Sequence, residues 1–157
     1  MMRRNAAGDA GFSLVEVIFA LAILGVVMIS ISGMFTLATR ELNRGRGQTA
    51  AVTVARDVIE EMTGWSYRDL WRAFGRDGSA TQYVIDSRVD PQSANWQALL
   101  DEALGGSDGW IEITVASVTE TGSPPALRDS TSVRVVVTVQ WQQGLQTRSV
   151  QIATVRT

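Results

Sequence analysis

The chain has no cysteine, no histidine and no lysine. Without cysteine there is no disulfide and no thiol nucleophile, and nothing to read about redox compartment. Without cysteine or histidine the ordinary zinc sites fall away, and with them any histidine general base. No nucleophile–base pair is visible in what remains, so an enzyme is the least favoured class. All 14 basic residues are arginine, set against 16 acids, for a net charge of -2. A balance so near zero argues against a dedicated nucleic-acid binder. At 157 residues the chain is long enough for one ordinary domain with an appendage.

The most informative absence is local. No charged residue occurs from Val17 to Thr39, a run of 23 positions. At about 1.5 Å per residue such a run, as a helix, crosses the ~30 Å hydrocarbon core of a bilayer. A buried helix of a soluble protein is the alternative, but those seldom run so far without charge. The run is preceded by a short polar stretch, 1–11, carrying Arg3 and Arg4 like the charged start of an export signal. No small-x-small cleavage site follows the run; the small residue, Gly11, precedes it. Cleavage there leaves the apolar helix on the mature chain. Glu16 lies at the edge of the run, where a carboxylate is costly and marks a functional site by default. The plainer reading of Glu16 is an interfacial charge that snorkels to water.

Gly11-Phe12-Ser13-Leu14-Val15-Glu16-Val17 resembles the processing motif of type IV pilins and of the pseudopilins of type II secretion. The resemblance implies a membrane peptidase that cuts after Gly11 and methylates the new amino terminus at Phe12. It makes Glu16 the family's assembly glutamate and Gly25 its helix glycine. Glu16 lies four positions beyond Phe12, about one helical turn, so a subunit's amine and a neighbour's Glu16 can pair in a core of packed helices. Where major pilins carry a kinking proline this chain has Gly33, beside Ser30 and Ser32. Those residues either weaken the helix or form a small-residue packing face. Charge counting runs against the expected orientation, because Arg40, Arg44 and Arg46 follow the run and only Arg3 and Arg4 precede it. The motif is taken to decide, with the leader in the cytoplasm.

The rest of the chain reads as an α+β head. Ala51, Val54, Ala55, Val58, Ile59 and Met62 keep helical spacing and Gly64 offers a stop. One helix from about Phe12 to Met62 is therefore expected, roughly 75 Å long, with a weak point at Gly45 and Gly47. Asp57, Glu60 and Glu61 read as its solvated face. Residues 65–74 form a short helix or aromatic-rich loop that caps the core; Arg68, Arg72 and Arg76 beside Trp65, Tyr67, Trp71 and Phe74 leave a DNA surface as the weaker reading. Strands are expected at 82–89, 110–118, 132–141 and 145–155, with a helical insertion at 93–104 and a turn at Gln142-Gln143-Gly144. Val133, Val135, Val137, Val139 and Trp141 fall on one face. Asp101, Glu102 and Asp108 match no calcium-loop spacing and read as exposed acids, so no metal and no cofactor is expected.

These patterns give a pilin-like fold, a long amino-terminal helix packed on a small antiparallel sheet. The implied organisation is a leader at 1–11, a membrane and filament-core helix at 12–39, and a periplasmic head at 40–157. Residues 55–62 and the alternating strand with its glycine turn, 133–148, resemble the PilV group of minor pilins and its GspI-type secretion counterparts. The resemblance implies a minor pilin that helps prime or tip a filament, with a type II secretion pseudopilin as the alternative. Its implied partners are the prepilin peptidase, other minor pilins and the major pilin, the inner-membrane assembly platform and bilayer lipid, with DNA the weakest. The implied location is the inner membrane as a single-pass protein, then the cell-surface pilus.

Overall fold

The computed structural model describes residues 13–106, 108–119 and 122–157. The chain divides into two units between Leu42 and Asn43. A single helix, α1 (Leu14–Gly64), passes through both.

In the first unit every described side chain of α1 is exposed. Hydroxyls in the apolar stretch turn back on the helix: Ser30 donates to the Val26 carbonyl at 2.8 Å, Ser32 to Met28 at 2.9 Å and Thr36 to Ser32 at 3.0 Å. In hydrocarbon a bare hydroxyl is costly, and this local bonding satisfies it within the helix. The helix stays regular across Gly33.

In the second unit, α1 is amphipathic because Ala51, Val54, Ala55, Val58 and Met62 recur at helical spacing and are buried. After it come α2 (Asp69–Arg72), β1 (Gln82–Asp86), a 3₁₀ turn at Pro91–Ser93, α3 (Ala94–Ala103), β2 (Gly109–Ser117), a second 3₁₀ turn at Leu127–Asp129, β3 (Val133–Gln143) and β4 (Gln146–Arg156). The strands form one antiparallel meander in the order β1-β2-β3-β4. Register places Val137 of β3 between Ile113 of β2 and Ile152 of β4. Val133, Val135, Val137, Val139 and Trp141 are all buried, as period-two alternation requires. They share one core with the buried stripe of α1 and with Trp96 and Leu100 of α3.

Four local expectations shift. The weak point at Gly45 and Gly47 is absent, since α1 is unbroken there. Gly47 instead makes room for an aromatic ring: a Cβ on it would stand 3.2 Å from Trp141 Nε1. β1 stops at Asp86, three residues early, because the Asp86 carboxylate accepts the Arg88 backbone N–H at 2.9 Å and bends the chain. The helical insertion begins at Ala94, after the 3₁₀ turn. Finally, Gln142 and Gln143 remain in β3, and the turn is only Gly144-Leu145. Gly144 alone takes positive φ there, at 65°, the pattern of a glycine-first two-residue hairpin.

Candidate functional site

The sequence-derived site lies at the start of the chain. Gly11 and Phe12 fall outside the described residues. Glu16 is described, and it occupies the first turn of α1. Backbone N–H groups left unpaired at a helix start give that end partial positive charge, so an acid is favoured there. The first turn is formed by Val17, whose N–H donates to the Ser13 carbonyl at 3.2 Å. Glu16 is exposed, with exposed Leu14, Val15, Val17, Ile18 and Phe19 around it.

The environment of Glu16 decides what it can do. The apolar stretch that follows is long enough to cross a membrane, and none of it is buried within the protein. A helix in the core of a soluble domain would instead be mostly covered by its own chain. A continuous apolar surface of this kind needs lipid or other helices against it. In either setting a carboxylate is disfavoured unless it reaches water or meets a cation. Glu16 is exposed in the first turn of α1, at the edge of that apolar stretch.

The head shows where the remaining candidates sit. Asp57, Glu60 and Glu61 are on the exposed face of α1. Glu61 also does something unreadable from local sequence: its carboxylate accepts the Trp96 indole N–H at 2.6 Å, tying α3 to α1. Trp96 stacks on Trp65 with ring centroids 5.8 Å apart, and Phe74 closes the group at 6.0 Å from Trp96. Trp71 and Phe74 are buried, so two of the rings proposed for stacking on DNA bases face the core. Arg68, Arg72 and Arg76 are exposed, but Arg76 lies over the Tyr83 ring at 5.8 Å and 3.9 Å from Asp90. The aromatic segment is a cap on the core.

Two carboxylates outside the apolar stretch are held ionised. Asp77 accepts the Ser79 hydroxyl at 2.6 Å, the Ser79 N–H at 2.9 Å and the Tyr83 hydroxyl at 2.8 Å. These donors, the Ser79 side chain foremost, hold its carboxyl well below the usual range. Asp86 takes a forked pair from Arg88, at 2.9 Å and 2.6 Å, which lowers its pKa and raises that of the guanidinium. The same guanidinium lies 4.6 Å from the Trp110 ring centre. Both arrangements order loops beside β1. Asp101, a calcium candidate set aside above, is exposed and accepts the Gln97 amide at 2.8 Å.

Comparison with known proteins bears on the amino-terminal segment. Residues 7–32 match the family model of the prokaryotic N-terminal methylation motif. The match takes in Gly11, Phe12, Glu16 and Gly25. It supports a type IV pilin or pseudopilin, implies processing by a prepilin peptidase and assembly with other pilins, and fits an inner-membrane anchor through the apolar helix. No curated protein matches the chain. No solved structure matches it either.

Proposed function

We propose that the chain is a minor pilin of a type IV pilus, a structural subunit that joins other minor pilins in priming or tipping the filament. The observation that supports this reading is the coincidence of the methylation motif with a bare apolar helix whose first turn carries Glu16. In this reading residues 1–11 are a leader removed between Gly11 and Phe12. Residues 12–39 hold the subunit in the inner membrane and later join the filament core. Residues 40–157 form the head, first in the periplasm and then at the cell surface.

Assembly follows from charge in an apolar setting. The cleaved Phe12 amine is a methylated cation and Glu16 is an anion about one turn further along the helix. Buried alone, either charge costs several kcal/mol, whereas a hydrogen-bonded pair recovers much of that. A neighbour's amine against Glu16 therefore sets axial register as a subunit leaves the bilayer. The prepilin peptidase, the major pilin and the assembly platform are the partners this sequence of events needs.

The β3–β4 hairpin, with Trp141 and Gly144, supports a place in the PilV-like group. The same hairpin supports the second reading, a GspI-like pseudopilin of type II secretion. Deletion of the chain's gene separates the two: lost surface filaments with intact protein export supports the pilus, and the converse supports secretion. Mass spectrometry of the mature protein tests what both readings share. A chain that begins at Phe12 and carries one added methyl group is expected; a mature chain that begins at Met1 overturns both.

A further inference from the structure

One corner of the head has features that the proposed pairing of the Phe12 amine with Glu16 does not use. At the end of the sheet where Gly109 pairs with Trp141, the β3–β4 hairpin projects Leu145, which is fully exposed at 104%. The Gln143 side-chain amide donates to the Asn43 carbonyl at 3.5 Å, so this end of the hairpin lies against the first turn of α1 in the head. An open groove of about 530 Å³ runs beside it, lined by Asn43, Arg46, Gly47, Glu102, Trp141 and Gln143 among others. Trp141 is only 4% exposed, and its indole N–H is a buried donor without an acceptor among the described residues. Arg46 and Glu102 add one charge of each sign to the same groove.

Chain connectivity fixes what lies nearby. Asn43 is four residues beyond Thr39, the last residue of the uncharged run. Four residues reach at most ~14 Å even fully extended. Whenever 17–39 is in a bilayer, the corner at Asn43 is therefore within reach of its headgroup layer. Arg40, Arg44 and Arg46 follow the run with Glu41 as the only acid among them, a bias that attracts phosphate.

We propose that this corner is a lipid contact made by the membrane-anchored subunit, in which the groove takes a zwitterionic phosphoethanolamine headgroup and Leu145 enters the headgroup layer. The proposal rests on the membrane-anchored reading above. Arg46 meets the phosphate, Glu102 accepts from the primary ammonium, and the Asn43 and Gln143 side-chain amides supply neutral hydrogen bonding. A quaternary ammonium has no N–H to give Glu102, and a phosphoglycerol headgroup has no cation to pair with it. The paired charges thus select phosphoethanolamine over both. The contact holds the head of an idle subunit at the surface and breaks when the subunit is extracted.

The absence of cysteine makes the test clean. Single variants Leu24→Cys, Thr131→Cys and Leu145→Cys of the full chain are spin-labelled and placed in phosphatidylcholine nanodiscs with or without phosphatidylethanolamine. Thr131 lies just before β3, at the opposite end of that strand from Leu145. Collision with oxygen and with a water-soluble nickel chelate reports depth. The expected result is a several-fold lower nickel collision rate at 145 than at 131, falling further with phosphatidylethanolamine. That further fall disappears in Glu102→Gln and in Arg46→Gln. Equal nickel access at 145 and 131 overturns the proposal, as does protection indifferent to lipid or to both substitutions. Protection lost in nanodiscs that hold a single copy overturns it in favour of contact between copies. Water access at 24 signals instead that the membrane-anchored reading has failed.

Discussion

Arg156 donates a hydrogen bond from its guanidinium to the Trp65 carbonyl at 2.9 Å, and the same nitrogen reaches the Met62 carbonyl at 3.2 Å. These carbonyls sit at the end of α1, where the helix leaves acceptors unmet. α1 has no basic residue in its own last turn, so a strand about ninety residues away supplies the cation that the helix end favours. Replacing Arg156 with Ala should cost about 1–2 kcal/mol, a fall in Tm of roughly 5–10 °C. Arg156→Lys should recover part of it. Thermal melts of the full chain in detergent check this, and an unchanged Tm in Arg156→Ala would show that the cap contributes nothing.

Val137 is completely buried, between Ile113 and Ile152 and beneath the apolar stripe of α1. Removing residues 1–42 should leave a soluble, monomeric head, because the apolar surface that needs lipid goes with them. In that fragment Val137→Asp should abolish folding, since an unpaired buried carboxylate costs about 4 kcal/mol or more. Circular dichroism reads the outcome. A cooperative melt near the parent's would contradict the placement of that face.

Glu16→Ala should leave membrane insertion and leader cleavage intact while reducing incorporation into the filament or tip complex. In the proposed reading, cleavage depends on Gly11 and its surroundings, whereas Glu16 acts between subunits. Cross-linking to partners, beside a count of surface filaments, reads the result. Normal cross-links with normal filaments would reduce Glu16 to an interfacial charge, or place this subunit outermost with no neighbour to meet.

Asp77 titrates below its unfolded value because Ser79 and Tyr83 donate to its ionised form. A carboxylate with a depressed folded pKa stabilises fully above its unfolded pKa, about 3.9, and loses that contribution as pH falls through the folded value. Asp77→Asn should therefore be less stable at neutral pH and show a shallower loss of stability below about pH 4. Carboxyl chemical shifts followed by NMR provide the direct check. A midpoint at or above the ordinary aspartate value would rule out the hydrogen-bonded loop.

Much of this architecture was legible in the sequence where physical periods are short. Val133 to Trp141 alternate every second residue, and Val54, Val58 and Met62 recur every fourth, so the faces that meet in the core could be named in advance. What local spacing does not carry is the identity of a distant neighbour. Gly47 reads as a flaw in a helix until Trp141 is seen over it, ninety-four positions later. Glu61 reads as one of three solvated acids until Trp96 donates to it. At the amino terminus the position is reversed. The proposed cleavage at Gly11 and Phe12 is read from a short linear motif matched over residues 7–32, while the proposed use of Glu16 needs a second molecule.

The alignment of α1 with the sheet has a mechanical consequence. Within the head, Gln143 holds Asn43 at one end of the helix and Arg156 holds Met62 and Trp65 at the other. The strands therefore run along the helix between these two fastenings. Tension drawn through the helix loads the contacts from Ala51 to Met62 together, in shear, and does not peel them away one at a time. A head mounted in this way transmits pulling force along its spine and resists being stripped from it.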